Sequence, residues 1–226
     1  MIMKKKAVVL LSGGMDSAVT LYMAREEYQC YVLMFDYGQK AVKELDFARK
    51  IAEEAGCSYR LLKIDLPWKG SSLLDGSKEV PEASEACGGD IPDTYVPARN
   101  MIFLSYGVSF AEAIGADAVF IGAHQLDYSN YPDCRSGFFD VFGESVRIGT
   151  KRGAEGSEVK VVTPIINMTK KEIVGMGNEL GVPFEYTWSC YKQDSTPCGK
   201  CESCVFRIKA FEEAGIQDPL MSRDLN

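Results

Sequence analysis

The feature that most constrains this chain is a junction. An apolar run at residues 6–11 breaks at Ser12-Gly13-Gly14, and a helix-forming stretch opens at Ser17. An apolar run without polar alternation suits a strand covered on both faces, as in a parallel sheet. The glycines let the chain turn tightly and let its backbone approach a ligand, because no Cβ intervenes. The rhythm then continues with a strand at 30–35, a helix at 40–55 and a strand at 59–64. In that helix Val42, Leu45, Ala48, Ile51 and Ala52 recur on one face, and Gly56 can end it. Strand–helix–strand–helix–strand is the start of a doubly wound α/β sheet. Further on, the pattern predicts a helix at 99–114, a strand at 118–122 and a helix within 128–142. It then predicts a strand at 160–163, a helix at 169–180 and a short helix at 204–214. Thr169 and Glu172 have capping-box spacing, and Gly181 and Pro183 can stop that helix. Residues 66–93 break the rhythm with Pro67, Gly70, Gly76, Pro81, Gly88, Gly89 and Pro92. Such a long loop is uncommon and often serves as a lid or partner surface.

Composition excludes several classes. No apolar run approaches the roughly 18 residues of a membrane helix. The basic start at 1–6 meets an apolar stretch that soon ends at a turn, so neither an anchor nor a signal peptide is expected. The formal net charge of −7 argues against a broad nucleic-acid footprint. It does not argue against a small polyanion such as ATP, which needs only a few oriented donors. The single histidine, His124, rules out a His-rich metal site and makes a His-based triad very strained. His124 itself is open between a structural hydrogen bond and an active-site role. Four of the eight cysteines crowd into residues 190–204. A reducing cytoplasm and a metal site fit that crowding better than a disulfide framework.

At the first junction, the N–H groups of Met15 to Ser17 would point at an anion with a helix dipole behind them. Ser12 and Ser17 add hydroxyls. Asp16 would repel phosphate unless it holds a magnesium ion bridging the phosphates. The run is too short for a kinase-type P-loop, and no Lys follows it. The choice lies between a plain strand–turn–helix junction and a pyrophosphate loop of the ATP-cleaving amidotransferase and tRNA-thiolation type. Asp36 and Gln39 end the second strand, where ligands sit in such sheets. They can bind adenosine, shape the phosphate site, or simply cap the next helix. After the fourth strand, the polar and aromatic loop at 122–135 suits a flat heterocycle, and Arg135 can pair with a carboxylate in fork geometry. That loop can equally be pinned by its own hydrogen bonds. Cys134, in the same loop, is either a packed thiol or a nucleophile.

Cys190, Cys198, Cys201 and Cys204 place four thiolates within one reach, with Pro197 and Gly199 at the turn. Four sulfurs suit tetrahedral zinc, and such a closed site is structural. An iron–sulfur cluster and redox thiols are the alternatives. Lys192, Lys200 and Arg207 can moderate the charge of a four-thiolate centre.

Several motifs together resemble the 7-cyano-7-deazaguanine synthase family of the PP-loop ATP pyrophosphatase superfamily. They are SGGMDS at 12–17, FDYGQK at 35–40, TYVPARN at 94–100, DYSNYPDCR at 127–135, the Pro164 to Ile173 stretch P-x(5)-K-x-E-I, and SCYKQDSTPCGKCESC at 189–204. The first motif is shared with GMP synthetase, NAD synthetase and tRNA-thiolating enzymes; the last and the YPDCR run are more specific. The resemblance implies a Rossmann-like parallel sheet of the adenine nucleotide α-hydrolase (HUP) type over residues 1–187, with a small zinc lobe at 188–226. It implies a ligase that uses ATP, Mg2+ and Zn2+ to convert 7-carboxy-7-deazaguanine and ammonia into a nitrile, through an acyl-adenylate and an amide. It implies a homodimer acting on the free base rather than on tRNA. Leu11, Ser12, Gly13, Gly14, Met15, Asp16, Ser17, Asp36 and Gln39 would then hold the nucleotide. Arg99, Asn100, Asp127, Tyr131, Asp133 and Arg135 would hold the substrate, with Asp16, Asp127 and Arg135 in the chemistry and the four clustered cysteines on zinc. Three places depart from the pattern. Ala41 and Val42 stand where relatives often carry His, Ala98 stands where Gly is common, and Lys192 and Gln193 stand where a Gly often follows. The first departure leaves room for a relative acting on another carboxylate, and tRNA thiolation is the rival from another chemical class.

Overall fold

The computed structural model describes residues 4–68, 70–83, 91–125, 130–192 and 196–222. Five parallel strands form one sheet: β1 (Lys5–Leu10), β2 (Tyr28–Asp36), β3 (Ser58–Lys63), β4 (Ala118–Ile121) and β5 (Lys160–Val162), in the order β3-β2-β1-β4-β5. The order reverses at β1, so a crevice opens between the carboxyl ends of β1 and β4. That switch point is where ligands sit in open α/β sheets.

Helices cover both faces. Alternate strand residues feed two apolar clusters: Val8, Leu10, Leu33 and Phe35 on one side, Ala7, Val9, Val32 and Met34 on the other. The first face is covered by α3 (Arg99–Ile114) and α4 (Ser136–Gly149), through Leu104, Val108, Ala111, Phe139 and Val146. The short α5 (Lys151–Ala154) follows α4. The second face is covered by α1 (Met15–Glu27), α2 (Lys43–Glu54), α6 (Lys170–Glu179) and α7 (Glu202–Ala214). Strand β4, and β1 from Ala7 onward, are apolar because both faces are covered, whereas the edge strand β3 leaves most side chains exposed.

Helix α2 starts later than its periodicity predicts. Val42 lies in the preceding turn, 58% exposed, and is not on the buried face. The fourth helix is likewise displaced: residues 132–134 make a 3-10 turn, and α4 runs on to Gly149. At α6 the capping box forms as spaced: Thr169 Oγ1 accepts from the Glu172 N–H, and the Glu172 carboxylate accepts from the Thr169 N–H.

The described part of residues 66–93 takes turns but is well packed. Leu66, Leu73 and Val80 join the first apolar cluster. The Ser72 N–H donates to Asp93 O, and the Lys40 N–H donates to Leu73 O. Glu82 pairs with Cys201 in an antiparallel bridge, tying this segment to the cysteine-rich end. The boundary expected at 187/188 falls inside one apolar cluster, which holds Trp188, Cys190, Cys201 and Cys204 together with Val8 and Leu10 of β1. Among the described residues, no helix is long and apolar enough to cross a membrane.

Candidate active site

The chain leaves β1 through Leu11 and Ser12 and turns at Gly13, which has φ +93°. A side chain there would be strained, and its Cβ would also collide with the Glu44 carbonyl of α2. The Gly13 carbonyl accepts from the Trp188 N–H at 2.8 Å, so the loop is gripped from the C-terminal segment. Ser12 and Ser17 close the turn on themselves. Their hydroxyls lie 3.1 Å apart, Ser12 Oγ accepts from the Gly14 N–H, and Ser17 Oγ donates to Gly14 O. Helix α1 has Gly14 as its N-cap, without a side-chain cap. Its first N–H groups, at Met15, Asp16 and Ser17, therefore have no intrahelical acceptor and sit at the positive end of the helix dipole. Gly122, just after β4, allows the next loop to press on this terminus; a Cβ there would lie 2.8 Å from Ser17 N.

Asp16 is the charged centre of the loop. Its Oδ2 is 2.6 Å from Lys170 Nζ and 3.4 Å from His124 Nε2. Burial works against the charged carboxylate, yet Lys170 and His124 outweigh it and hold the Asp16 carboxyl well below the usual range. Its other oxygen, Oδ1, is buried and has no hydrogen-bond partner among the described residues. A buried anionic oxygen without a donor fits a cation brought in with phosphate. Lys170 belongs to the Pro164 to Ile173 motif, but only the packing of α6 beside α1 shows that it reaches the loop. His124 proves to face the loop from the end of β4.

One cavity opens over this loop. Of the predicted nucleotide residues it is lined by Leu11, Ser12, Gly14, Met15, Asp16, Ser17 and Gln39. Of the predicted substrate residues it is lined by Arg99, Asn100 and Tyr131. Tyr37, Glu44, Phe103, His124, Cys134, Lys170, Trp188 and Tyr191, which sequence reasoning did not assign to a site, also face it. Gly13 and Asp36 shape the walls without lining them. Asp36 Oδ1 accepts from the Gly38 N–H, and Gln39 braces the same turn by accepting from the Tyr37 N–H and donating to Phe35 O.

The motif at 94–100 meets the one at 131–135 at the start of α3. Asp133 is buried and does not line the cavity. Its Oδ2 accepts from the Asn100 N–H at 2.9 Å, supplying an acceptor to the free helix terminus. Burial raises the Asp133 carboxyl, with that N–H opposing. Asn100 Nδ2 donates to Asp133 O and to Cys134 Sγ. Arg99 donates to the Tyr37 hydroxyl at 3.2 Å. Arg135 is exposed at the N-cap of α4 and does not line the cavity. Asp127 lies outside the described residues.

The four clustered cysteines converge. Their sulfurs lie within 4.8 Å of one another, and three of the four residues are buried. Cys190 Sγ accepts from the N–H groups of Lys192 and Cys198, and Cys198 Sγ accepts from that of Cys201. Such N–H donors suit thiolates. Hydrogen bonds from the Cys190 and Cys204 thiols pull Cys201 well below the ordinary thiol range. The cluster can hold a metal, and a four-sulfur shell of this size matches tetrahedral coordination. Arg207, expected beside these thiolates, turns instead to Asp218: Nε and Nη2 donate to its two oxygens at 2.6 and 2.8 Å.

A profile of the family described as "Queuosine biosynthesis protein QueC" matches residues 6–215. The protein called 7-cyano-7-deazaguanine synthase in Trichodesmium erythraeum is 48% identical over 221 residues, covering 96% of this chain and all of that one. Its namesake in Clostridium kluyveri is 46% identical over 220 residues, covering 96% and 97%. Among solved structures, NMN synthetase from Francisella tularensis aligns with a TM-score of 0.50 and 14% identity over 95% of this chain and 79% of that one, a likeness of fold alone. The pyrophosphate-type loop, the four-cysteine end and these near-full-length matches agree: the chain belongs to the QueC family of 7-cyano-7-deazaguanine synthases.

Proposed function

We propose that this protein joins 7-carboxy-7-deazaguanine and ammonia, at the expense of ATP, to make 7-cyano-7-deazaguanine. The observation that carries the reading is the cavity over the loop at 12–17. It is lined at once by that loop and by Arg99, Asn100, Tyr131 and Cys134 from the motifs at 94–100 and 127–135.

A carboxylate oxygen is a poor leaving group, so the acid must be activated. Its oxygen attacks the α-phosphorus of ATP and pyrophosphate departs. The N–H groups of Met15 to Ser17, with the serine hydroxyls nearby, are placed to receive that pyrophosphate. Asp16 Oδ1 is placed to hold Mg2+, which when bound neutralises phosphate charge. Lys170 brings a positive charge to the same rim. Ammonia displaces AMP from the acyl carbon and leaves a primary amide. The amide oxygen attacks a second ATP, pyrophosphate departs, and loss of AMP and of both N–H protons gives the nitrile. Tyr37, Phe103, Tyr131 and Tyr191 offer flat walls for the heterocycle, and burial of the acyl-adenylate among them limits its exposure to water.

Zinc at the four cysteines is structural in this reading, since four protein thiolates leave no open position. The substrate is the free base, consistent with the acidic chain, and the protein works in the cytoplasm. The proposal includes a homodimer; exposed Met101 and Tyr106 on α3 and Val141 and Ile148 on α4 offer apolar surface to bury. Thiolation of tRNA would need a reactive thiolate, yet burial pushes the Cys134 thiol up to about 11.

Incubation with the acid, ammonium and Mg-ATP should yield the nitrile by mass spectrometry, with AMP and pyrophosphate. ADP as the sole nucleotide product would exclude adenylation. Turnover that depends on added tRNA would favour thiolation.

A further inference from the structure

The described carboxylates that line the cavity are Asp16, Glu44 and Glu202. Asp16 is paired with Lys170. Glu44 differs. It sits in the first turn of α2, where any carboxylate gains from the helix dipole. Its neighbour Asp46 uses that position in the ordinary way, exposed and paired with Arg49 at 2.7 Å. Glu44 instead points into the cavity, and no described residue gives its carboxylate a hydrogen bond or an ion pair. The cation whose charge acts on it is Arg99, already hydrogen-bonded to Tyr37. Burial pushes the Glu44 carboxyl up to about 8, with Arg99 opposing. The titratable groups facing it are Arg99 from α3, Tyr37 from the turn after β2 and Tyr191 from the C-terminal segment.

Inside a binding cavity, a carboxyl without donors has its charged form disfavoured, and a ligand that supplies donors restores it. We propose that Glu44 is the specificity-determining residue for the acid substrate, its two oxygens accepting from the adjacent ring N–H and exocyclic amine of the aminopyrimidinone edge. The inference rests on the function proposed above and names the group that reads its substrate. Three ligands of that reaction carry donors: the deazapurine, ammonium and ATP, the last through its ribose hydroxyls and its adenine amine. The surroundings favour the first, since the Tyr37 and Tyr191 rings and the Arg99 guanidinium suit a flat ring. Adenine offers one amine flanked by acceptor nitrogens, which would repel a carboxylate. A guanine-like edge offers two neighbouring donors, matched to a bidentate carboxylate.

The test compares wild type with Glu44→Gln on 7-carboxy-7-deazaguanine and on its analogue without the exocyclic amine. Glu44→Gln should lower kcat/KM for the natural acid roughly 30- to 100-fold, mainly through KM. On the analogue, which keeps the ring N–H but not the amine and which wild type already handles less well, the same substitution should cost clearly less, roughly 3- to 10-fold, since one of the two contacts is already gone. KM for ammonium and for ATP should stay within about threefold. Equal losses on both acids, or a loss carried by the KM of ammonium or ATP, would overturn the assignment. Melting temperature and metal content check that the variant folds; if it does not, Glu44→Asp takes its place in the same comparison, with the same outcomes deciding. Should wild type make no nitrile, the proposed function fails by itself. Calorimetric binding of the two acids to wild type and variant then decides the Glu44 assignment separately, with Glu44-dependent preference for the amine upholding it and its absence refuting it.

Discussion

Lys170 Nζ lies 2.6 Å from Asp16 Oδ2, joining side chains 154 positions apart in sequence. The contact sets the charge of the phosphate loop before any nucleotide arrives: Asp16 stays ionised, one oxygen on lysine and the other without a donor among the described residues. Asp16→Asn keeps the shape and removes the charge. It should lower turnover about 10²- to 10³-fold, as when one preorganised electrostatic group is lost from a transition state. The loss should be only partly recovered by raising magnesium.

The same pair has a stability consequence with a definite sign. The folded-state pKa of Asp16 is depressed, so its contribution is present above the unfolded carboxylate value of about 3.9. It fades as pH falls through the lower folded value. Melting curves between neutral and acidic pH should show Asp16→Asn losing less stability than wild type over the acid range. Parallel curves would contradict the depressed pKa.

Cys134 lines the cavity but is held as a neutral thiol. Burial raises it to about 11, and its sulfur accepts from Asn100 Nδ2 at 3.2 Å. A thiol of that kind is a poor nucleophile at neutral pH. Cys134→Ser should therefore retain turnover within about tenfold, far from the ≥10³-fold collapse expected for a lost nucleophile. Alkylation by iodoacetamide at pH 8 should be slow at this position by peptide mass mapping.

Ala98 holds φ +53° at the N-cap of α3, a left-handed conformation that costs an L side chain about 1 kcal/mol. A glycine would hold the same conformation without that cost. Ala98→Gly should relieve the strain, partly offset by greater freedom of the unfolded chain, for a net gain of roughly 0.5 kcal/mol. In a chain of this size that is a rise of about 1–2 °C in Tm by calorimetry.

What the sequence reveals and what it hides divide along the chain's own geometry. The loop at 12–17 and the cysteine end are legible because their chemistry sits within consecutive residues. The alternation of apolar strands and amphipathic helices likewise exposes the parallel sheet. Lys170 and Glu44 are not legible as cavity residues, because each reaches it from a helix whose packing is a tertiary fact. Asp133 reads as a substrate ligand by motif, but the structure turns it to the open N-terminus of α3, a demand set by the register of two distant segments. Arg135 reads as a carboxylate partner and stands exposed. Residues 66–93 read as a loose loop from their Gly and Pro content; Leu73 and Val80, spaced irregularly, are what anchor its described part to the core.

The metal lobe yields the most direct prediction. Cys190, Cys198, Cys201 and Cys204 span residues whose fold rests on few regular elements: a bridge from Cys201 to Glu82, the start of α7, and Trp188. Trp188 is 2% exposed, its indole N–H donates to Cys190 O at 2.9 Å, and its backbone N–H holds the Gly13 carbonyl. Loss of the metal should therefore be felt in two places, the lobe and the phosphate loop. Removing one ligand leaves charged sulfurs crowded together without a cation, and binding energy that would have gone into folding is lost. Cys201→Ser should abolish stoichiometric zinc, lower the melting temperature and shift Trp188 emission to the red. Trp68, which is 57% exposed, is best replaced by Phe so that emission reports Trp188 alone. Nucleotide affinity should fall together with the emission shift, because both follow from the Trp188–Gly13 contact. A variant that loses zinc but keeps its melting temperature and a blue Trp188 emission would show that the four cysteines do not hold the lobe together. Iron with acid-labile sulfide in the wild-type protein would replace zinc by a cluster.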